Sequence, residues 1–169
     1  MTKLRKLTAL LLAGALTLLL LTACSGGGSS GPEAQAEAEA KVMQAINNDR
    51  AMNGRAVALA NDDGMRTVAN ARLDALELEL KGNALGYQFF NKVDAKWDDD
   101  KQNATLTLVA KYDYNDTTLQ KIIDQIKGNN QDQALDFALK GNYTKAGVVA
   151  RIIRGQTYVA ISLRVGRNL

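Results

Sequence analysis

Histidine is absent from the 169 residues, and a single cysteine, Cys24, stands near the N-terminus. The first fact removes the commonest general base, the commonest metal ligand and the usual pH switch together. The second rules out a disulfide within the chain. Carboxylates, hydroxyls and aromatic rings are left to do chemistry. Asp98, Asp99 and Asp100, followed by Gln102 and Asn103, offer oxygens that a hard cation could use. Consecutive side chains diverge, however, and no loop glycine lets the chain wrap around an ion; a solvated acidic turn accounts for them. Asn61-Asp62-Asp63-Gly64 reads in the same way, as a turn that caps a helix. Ser162 lies in a β-branched stretch with no histidine to activate it, and no Ser-x-x-Lys arrangement supplies a lysine base. A hydrolase built on two carboxylates needs them inward-facing at a fixed separation, which spacing alone does not place. The expectation is therefore no catalytic residue, no metal site and no cofactor. Tyr87, Phe89, Phe90 and Trp97 cluster in a chain with only 5% aromatic residues. They are the candidate lining of a groove for an apolar or sugar ligand, with packing into the core as the competing reading.

The elements that would position these groups follow from periodicity. Pro32 to Ala40 is rich in alanine and glutamate, both strong helix formers. Val42, Met43 and Ile46 extend the helical spacing, Glu37 can pair with Lys41, and Gly54 is the expected stop. Asn61 or Asp62 caps a second helix whose buried face is Met65, Val68, Ala69, Leu73, Leu76 and Leu80, ending near Gly82. The stretch 83–103 has no clear period. Ala104 to Tyr112 alternates as a half-buried strand, with Leu106, Leu108, Ala110 and Tyr112 on one side. Leu119, Ile122, Ile123 and Ile126 mark a short helix stopped by Gly128. Another is expected from Asn130, burying Ala134, Leu135, Ala138 and Leu139, to Gly141. Gly147 to Arg154 and Gln156 to Val165 form a hairpin turning at Gly155. Helices with an antiparallel sheet imply an α+β fold.

Residues 1–23 stand apart. Lys3, Arg5 and Lys6 precede an uncharged apolar run from Leu7 to Ala23, the pattern of an export signal that is removed. Leu21-Thr22-Ala23-Cys24 resembles the lipobox of bacterial lipoproteins. That resemblance implies cleavage between Ala23 and Cys24 and acylation (palmitate among the acyl groups) of Cys24, which becomes the first mature residue. Ser25 to Gly31 is then part of a flexible tether over 24–32, since glycine and serine resist ordering, and 33–169 is the folded domain. Loss of Lys3, Arg5 and Lys6 lowers the 21 basic residues to 18, equal to the 18 acidic ones. A neutral mature protein has no general attraction to nucleic acid, and none is expected as a partner. The segment from Gly141 onward holds Lys145, Arg151, Arg154, Arg164 and Arg167 without a carboxylate. Pairing with the acidic helix that carries Asp74, Glu77 and Glu79 is the favoured reading of that excess.

Asn47, Arg50, Gly54, Leu59, Met65, Ala69 and Leu76, in the order N-x-x-R-x-x-x-G, leucine, cap and alanine-rich helix, resemble the opening of the CAP superfamily (cysteine-rich secretory proteins, antigen 5, pathogenesis-related 1; SCP-like). Tyr143-Thr144-Lys145-Ala146-Gly147-Val148 is similar to that family's Tyr-x-x-(Ile)-Gly-Val lead into its final hairpin. The resemblance covers both ends of the mature domain and implies an α-β-α sandwich around a central antiparallel sheet. It also implies a cleft with two histidines and two acidic residues, which this chain lacks: Ala134 falls about where one histidine would lie. The family's Gly-Glu-Asn-Ile segment is missing too, with Ala104-Thr105-Leu106-Thr107 in that region. The expectation is an exported, lipid-anchored CAP-like domain on the extracytoplasmic face of the cell membrane. It would be non-catalytic, held to the membrane through Cys24, and would bind an envelope protein or small ligand. A carboxylate- or cation-dependent envelope hydrolase and a structural subunit docking through the basic hairpin are the alternatives.

Overall fold

A computed structural model describes residues 31–49, 58–82, 91–127 and 143–166. Cys24, Arg50, Gly54, Tyr87, Phe89, Phe90, Gly128 and Ala134 lie outside the described residues, as do the expected 130–141 helix and the 1–23 segment. The elements run α1 (Pro32–Asn48), α2 (Asp63–Gly82), β1 (Asp94–Trp97), β2 (Asn103–Lys111), α3 (Asp116–Ile126), β3 (Tyr143–Ile153) and β4 (Gln156–Gly166). The four strands form one antiparallel sheet in the order β1-β2-β4-β3. The fold is α+β, with helices on both faces of the sheet.

Strand alternation decides which side chain meets which helix. Leu106, Leu108, Ala110, Val148, Ile161 and Leu163 point to one face, where they bury against Ala38, Val42 and Ile46 of α1 and Ile122, Ile123 and Ile126 of α3. Val109, Val149, Ile153 and Ala160 point to the other, beneath Ala69, Leu73, Leu76 and Leu80 of α2. The half-buried reading of β2 therefore needs correction: Val109 and Thr107 on its second face are also buried. An apolar-in, polar-out alternation fails here because α2 covers the far side of the sheet.

The helix boundaries have local causes. Pro32, assigned above to the tether, is instead the first residue of α1, where its missing N–H is no loss. Glu37 and Lys41 pair at 2.9 Å. The helix stops at Asn48 rather than Gly54, because Asp49 turns extended and its carboxylate takes the Lys127 ammonium at 2.6 Å. Asp62 caps α2 by accepting the Met65 N–H at 3.0 Å. Asn115, not singled out from sequence, caps α3 through the Thr117 N–H. The β3–β4 turn places Arg154 at φ 52° and Gly155 at φ 73°, the paired left-handed geometry of a tight hairpin. Among the described residues no helix is long and apolar enough to cross a membrane.

Tyr143 opens β3 and is buried in the α1/α3-side core. Burial pushes its phenol from 10.0 up to about 12, with the Asp49 charge acting in the same direction. A group whose folded pKa is raised contributes stability fully present below its unfolded pKa and lost as pH rises through the folded one. Raising the pH from about 10 to 12 is therefore expected to remove roughly 2 to 3 kcal/mol, since each tenfold change in proton affinity is worth about 1.4 kcal/mol. Urea melts across that range check it, and a Tyr143→Phe chain should lose this alkaline component.

Candidate functional site

The site begins with a close approach. Gly147 of β3 lies directly under the start of α2: a Cβ there would stand 2.3 Å from the Met65 carbonyl carbon and 2.4 Å from the Arg66 nitrogen. Contact at that point holds α2 over β3 and β4. Among the described residues nothing covers the β1 and β2 side of the same sheet face, and a groove of about 460 Å³ lies there. Val68 and Arg72 of α2 form one wall, Asp94 and Lys96 of β1 the other, and Thr105 and Thr107 of β2 the floor. Trp97, Asp98 and Asp99 close one end.

Charge in the groove is arranged in pairs. Arg72 donates to the Asp94 carboxylate across the gap between α2 and β1. Arg164 of β4 donates to Asp98 at the closed end. Asp98 also anchors the β1–β2 turn, its N–H donating to the Asn103 carbonyl at 2.9 Å and its carbonyl accepting from Lys101. The Asp100 carboxylate accepts the Gln102 N–H at 2.8 Å, so the acidic triplet is built into a tight turn. Among the described residues no group of three or more His, Cys, Asp or Glu side chains is placed to hold a metal ion.

The other sequence candidates disperse. Ser162 is fully buried, with its hydroxyl 3.8 Å from the Met65 sulfur, and so cannot reach a substrate. Asp62 is occupied by its cap and by Lys145 at 3.2 Å. The Met65 N–H first, and then Lys145, hold the Asp62 carboxyl below the usual range. Of the proposed aromatic lining, Trp97 reaches the groove, although alternation along β1 sets it on the same face as Ala95, which packs towards α1 and α3. Tyr112 stacks at 5.1 Å on Tyr114, whose hydroxyl donates to the Ala34 carbonyl; both close the core at the start of α1. The basic excess of the C-terminal segment is largely neutralised. Arg151 meets Asp74 at 2.7 Å and Glu77 at 3.2 Å on α2, Lys145 meets Asp62, and Arg164 meets Asp98.

No family model, curated protein or solved structure matches this chain. The site is therefore read from its own geometry. Sequence reasoning missed Arg72, Asp94, Lys96, Thr105 and Thr107. Its available signal was Thr105 and Thr107 alternating along β2, which identifies a polar stripe but not the helix that stops short of it.

Proposed function

We propose that the chain is a lipid-anchored, extracytoplasmic binding module with a CAP-like domain, and that ligand occupies the groove between α2 and the β1–β2 hairpin. The observation that carries this reading is the groove itself, a concave and partly polar site on a rigid sheet face, of a size that small ligands fill. Support for binding rather than hydrolysis comes from the groove carboxylates. Asp94 and Asp98 each face an arginine, whereas a hydrolytic pair must face each other across the substrate.

The CAP-like resemblance is supported by what its motif residues do. Asn47 clamps Leu59 from both sides, its amide donating to the Leu59 carbonyl at 2.9 Å and its oxygen accepting the Leu59 N–H at 2.7 Å. Met65, Ala69 and Leu76 are buried on α2. Gly147 seats that helix on β3. These residues form one continuous unit from α1 through α2 to β3. The tether would join at Pro32, beside Tyr114 and Thr157, whereas the groove's closed end adjoins Asn103 and Gly166 at the other end of the strands. Ligand would thus be met away from the bilayer.

Expression of the full-length chain in a bacterium with labelled palmitate tests both halves. Label and membrane retention are expected with Cys24 and lost in Cys24→Ala. The membrane-released chain should pellet with an isolated cell-wall fraction, and Thr105→Arg, which fills the groove floor, should abolish pelleting. A Cys24→Ala chain that still takes label, or pelleting indifferent to Thr105→Arg, would overturn the corresponding half.

A further inference from the structure

The chemistry of the groove narrows what it can take. Its floor is the face of a sheet whose main chain is already paired on both sides: Thr105 lies between Lys96 and Arg164, and Thr107 between Asp94 and Ser162. That floor presents no free backbone ladder, so a peptide lying on it has no main-chain partner; among the described residues the free edge is the outer side of β1, beside the groove and not within it. Recognition must come from side chains. Those are hydroxyls, which both donate and accept, and arginine–carboxylate pairs that hold planar donors and acceptors side by side.

Net charge narrows it again. Arg72, Lys96 and Arg164 are matched by Asp94, Asp98 and Asp99. A polyanion or polycation would gain from one set and be repelled by the other. An acyl chain could cover Val68 and the threonine methyls, but it would bury the charged groups of the walls without offering them a hydrogen bond. A neutral chain rich in hydroxyls satisfies all of these conditions, because vicinal hydroxyls can bridge a guanidinium and its neighbouring carboxylate without displacing either.

We infer that the groove is a site for a neutral glycan, with Thr105, Arg72 and Asp94 as its principal contacts. This rests on the groove being the ligand site. Trp97, the only tryptophan of the chain, lies at the closed end of the groove and serves as the fluorescent reporter.

The test is a titration of the full-length chain in detergent micelles with the tetramer of N-acetylglucosamine, followed by Trp97 emission. A saturable change is expected, weakened about five- to tenfold by Thr105→Val, the loss equivalent to one hydrogen bond. Raising sodium chloride from about 0.1 to 0.5 M should alter the affinity less than about twofold, since the ligand is uncharged. Thr105→Val keeps the side-chain shape and the strand preference, and a thermal melt matching the unchanged chain confirms its fold. Arg72→Gln, which keeps a hydrogen-bonding amide but removes the fork, should weaken binding further. No saturable change, or equal affinity in the Thr105→Val chain, would overturn the inference. If wall pelleting is still lost in Thr105→Arg while the tetramer fails to bind, the groove stands as the site and the glycan assignment falls. If pelleting too is indifferent to that change, both fall.

Discussion

Gly147→Ala is expected to destabilise the fold by about 3 kcal/mol or more, the upper end of what overpacking costs. The added Cβ would stand 2.3 Å from the Met65 carbonyl carbon, 2.4 Å from the Arg66 nitrogen and 2.5 Å from the Met65 Cβ. Two of these three neighbours are helix backbone, which has no rotamer to change. Relief requires α2 to lift from β3, and several interactions oppose that movement. Asp62 donates its N–H to the Ala146 carbonyl at 2.8 Å, Arg66 donates to the Val148 carbonyl at 2.9 Å, and Arg151 is fixed by Asn70, Asp74 and Glu77. Gly31→Ala, where a Cβ would meet nothing within 4 Å, is the control and should cost no more than about 1 kcal/mol, the difference between glycine and alanine at a helix N-cap. Thermal unfolding followed by circular dichroism reads both. A Gly147→Ala melt indistinguishable from the control would mean that α2 is not seated as described, and with it the shape of the groove would be lost.

The same glycine marks how far the sequence could be read. Elements with strong periods are legible: the buried stripes of α1 and α2, the alternation of β2 and the β3–β4 hairpin with its Gly155 turn are set by apolar spacing and turn chemistry. So is the pairing of Arg151 with the acidic face of α2, because one segment has only positive charge and that helix has carboxylates to spare. β1 is not legible. Asp94-Ala95-Lys96-Trp97 is four residues long, holds one β-favouring side chain, and becomes a strand only because β2 offers it a free edge. The groove is invisible for a related reason. It arises from where α2 sits across the sheet, a consequence of Gly147, which is far along the chain from the helix it seats, and no local pattern encodes that displacement. The expectation that Asn61 or Asp62 caps α2 holds, since Asp62 takes that role, while Asn61 turns to the sheet, a contact with β3 that no local pattern marks.

That turn leads to the second large effect. β3 is an edge strand, and unpaired edges invite pairing with other chains. Asn61 closes this edge with one side chain: its amide donates to the Val148 carbonyl at 3.1 Å, and its oxygen accepts the Val148 N–H at 2.8 Å. Glu39 continues the closure one pair further on, accepting the Ala150 N–H at 3.0 Å while its other oxygen takes Arg66 at 2.6 Å. Val148 is fully buried, so Asn61→Ala leaves its N–H without water or a partner. The Val148 carbonyl keeps Arg66. One stranded donor plus one lost hydrogen bond is expected to cost about 2 kcal/mol, read as a drop in the urea midpoint and faster hydrogen exchange at the Val148 amide. Asn61→Asp separates hydrogen bonding from packing, since it preserves the side-chain shape and the acceptor but sets an anion against the Val148 carbonyl. Its deficit should shrink as the pH is lowered towards about 4, where a protonated carboxyl regains the donor. An Asn61→Asp chain as stable as the unchanged one at every pH would instead assign the cost to shape, and the side-chain closure of the edge would have to be abandoned.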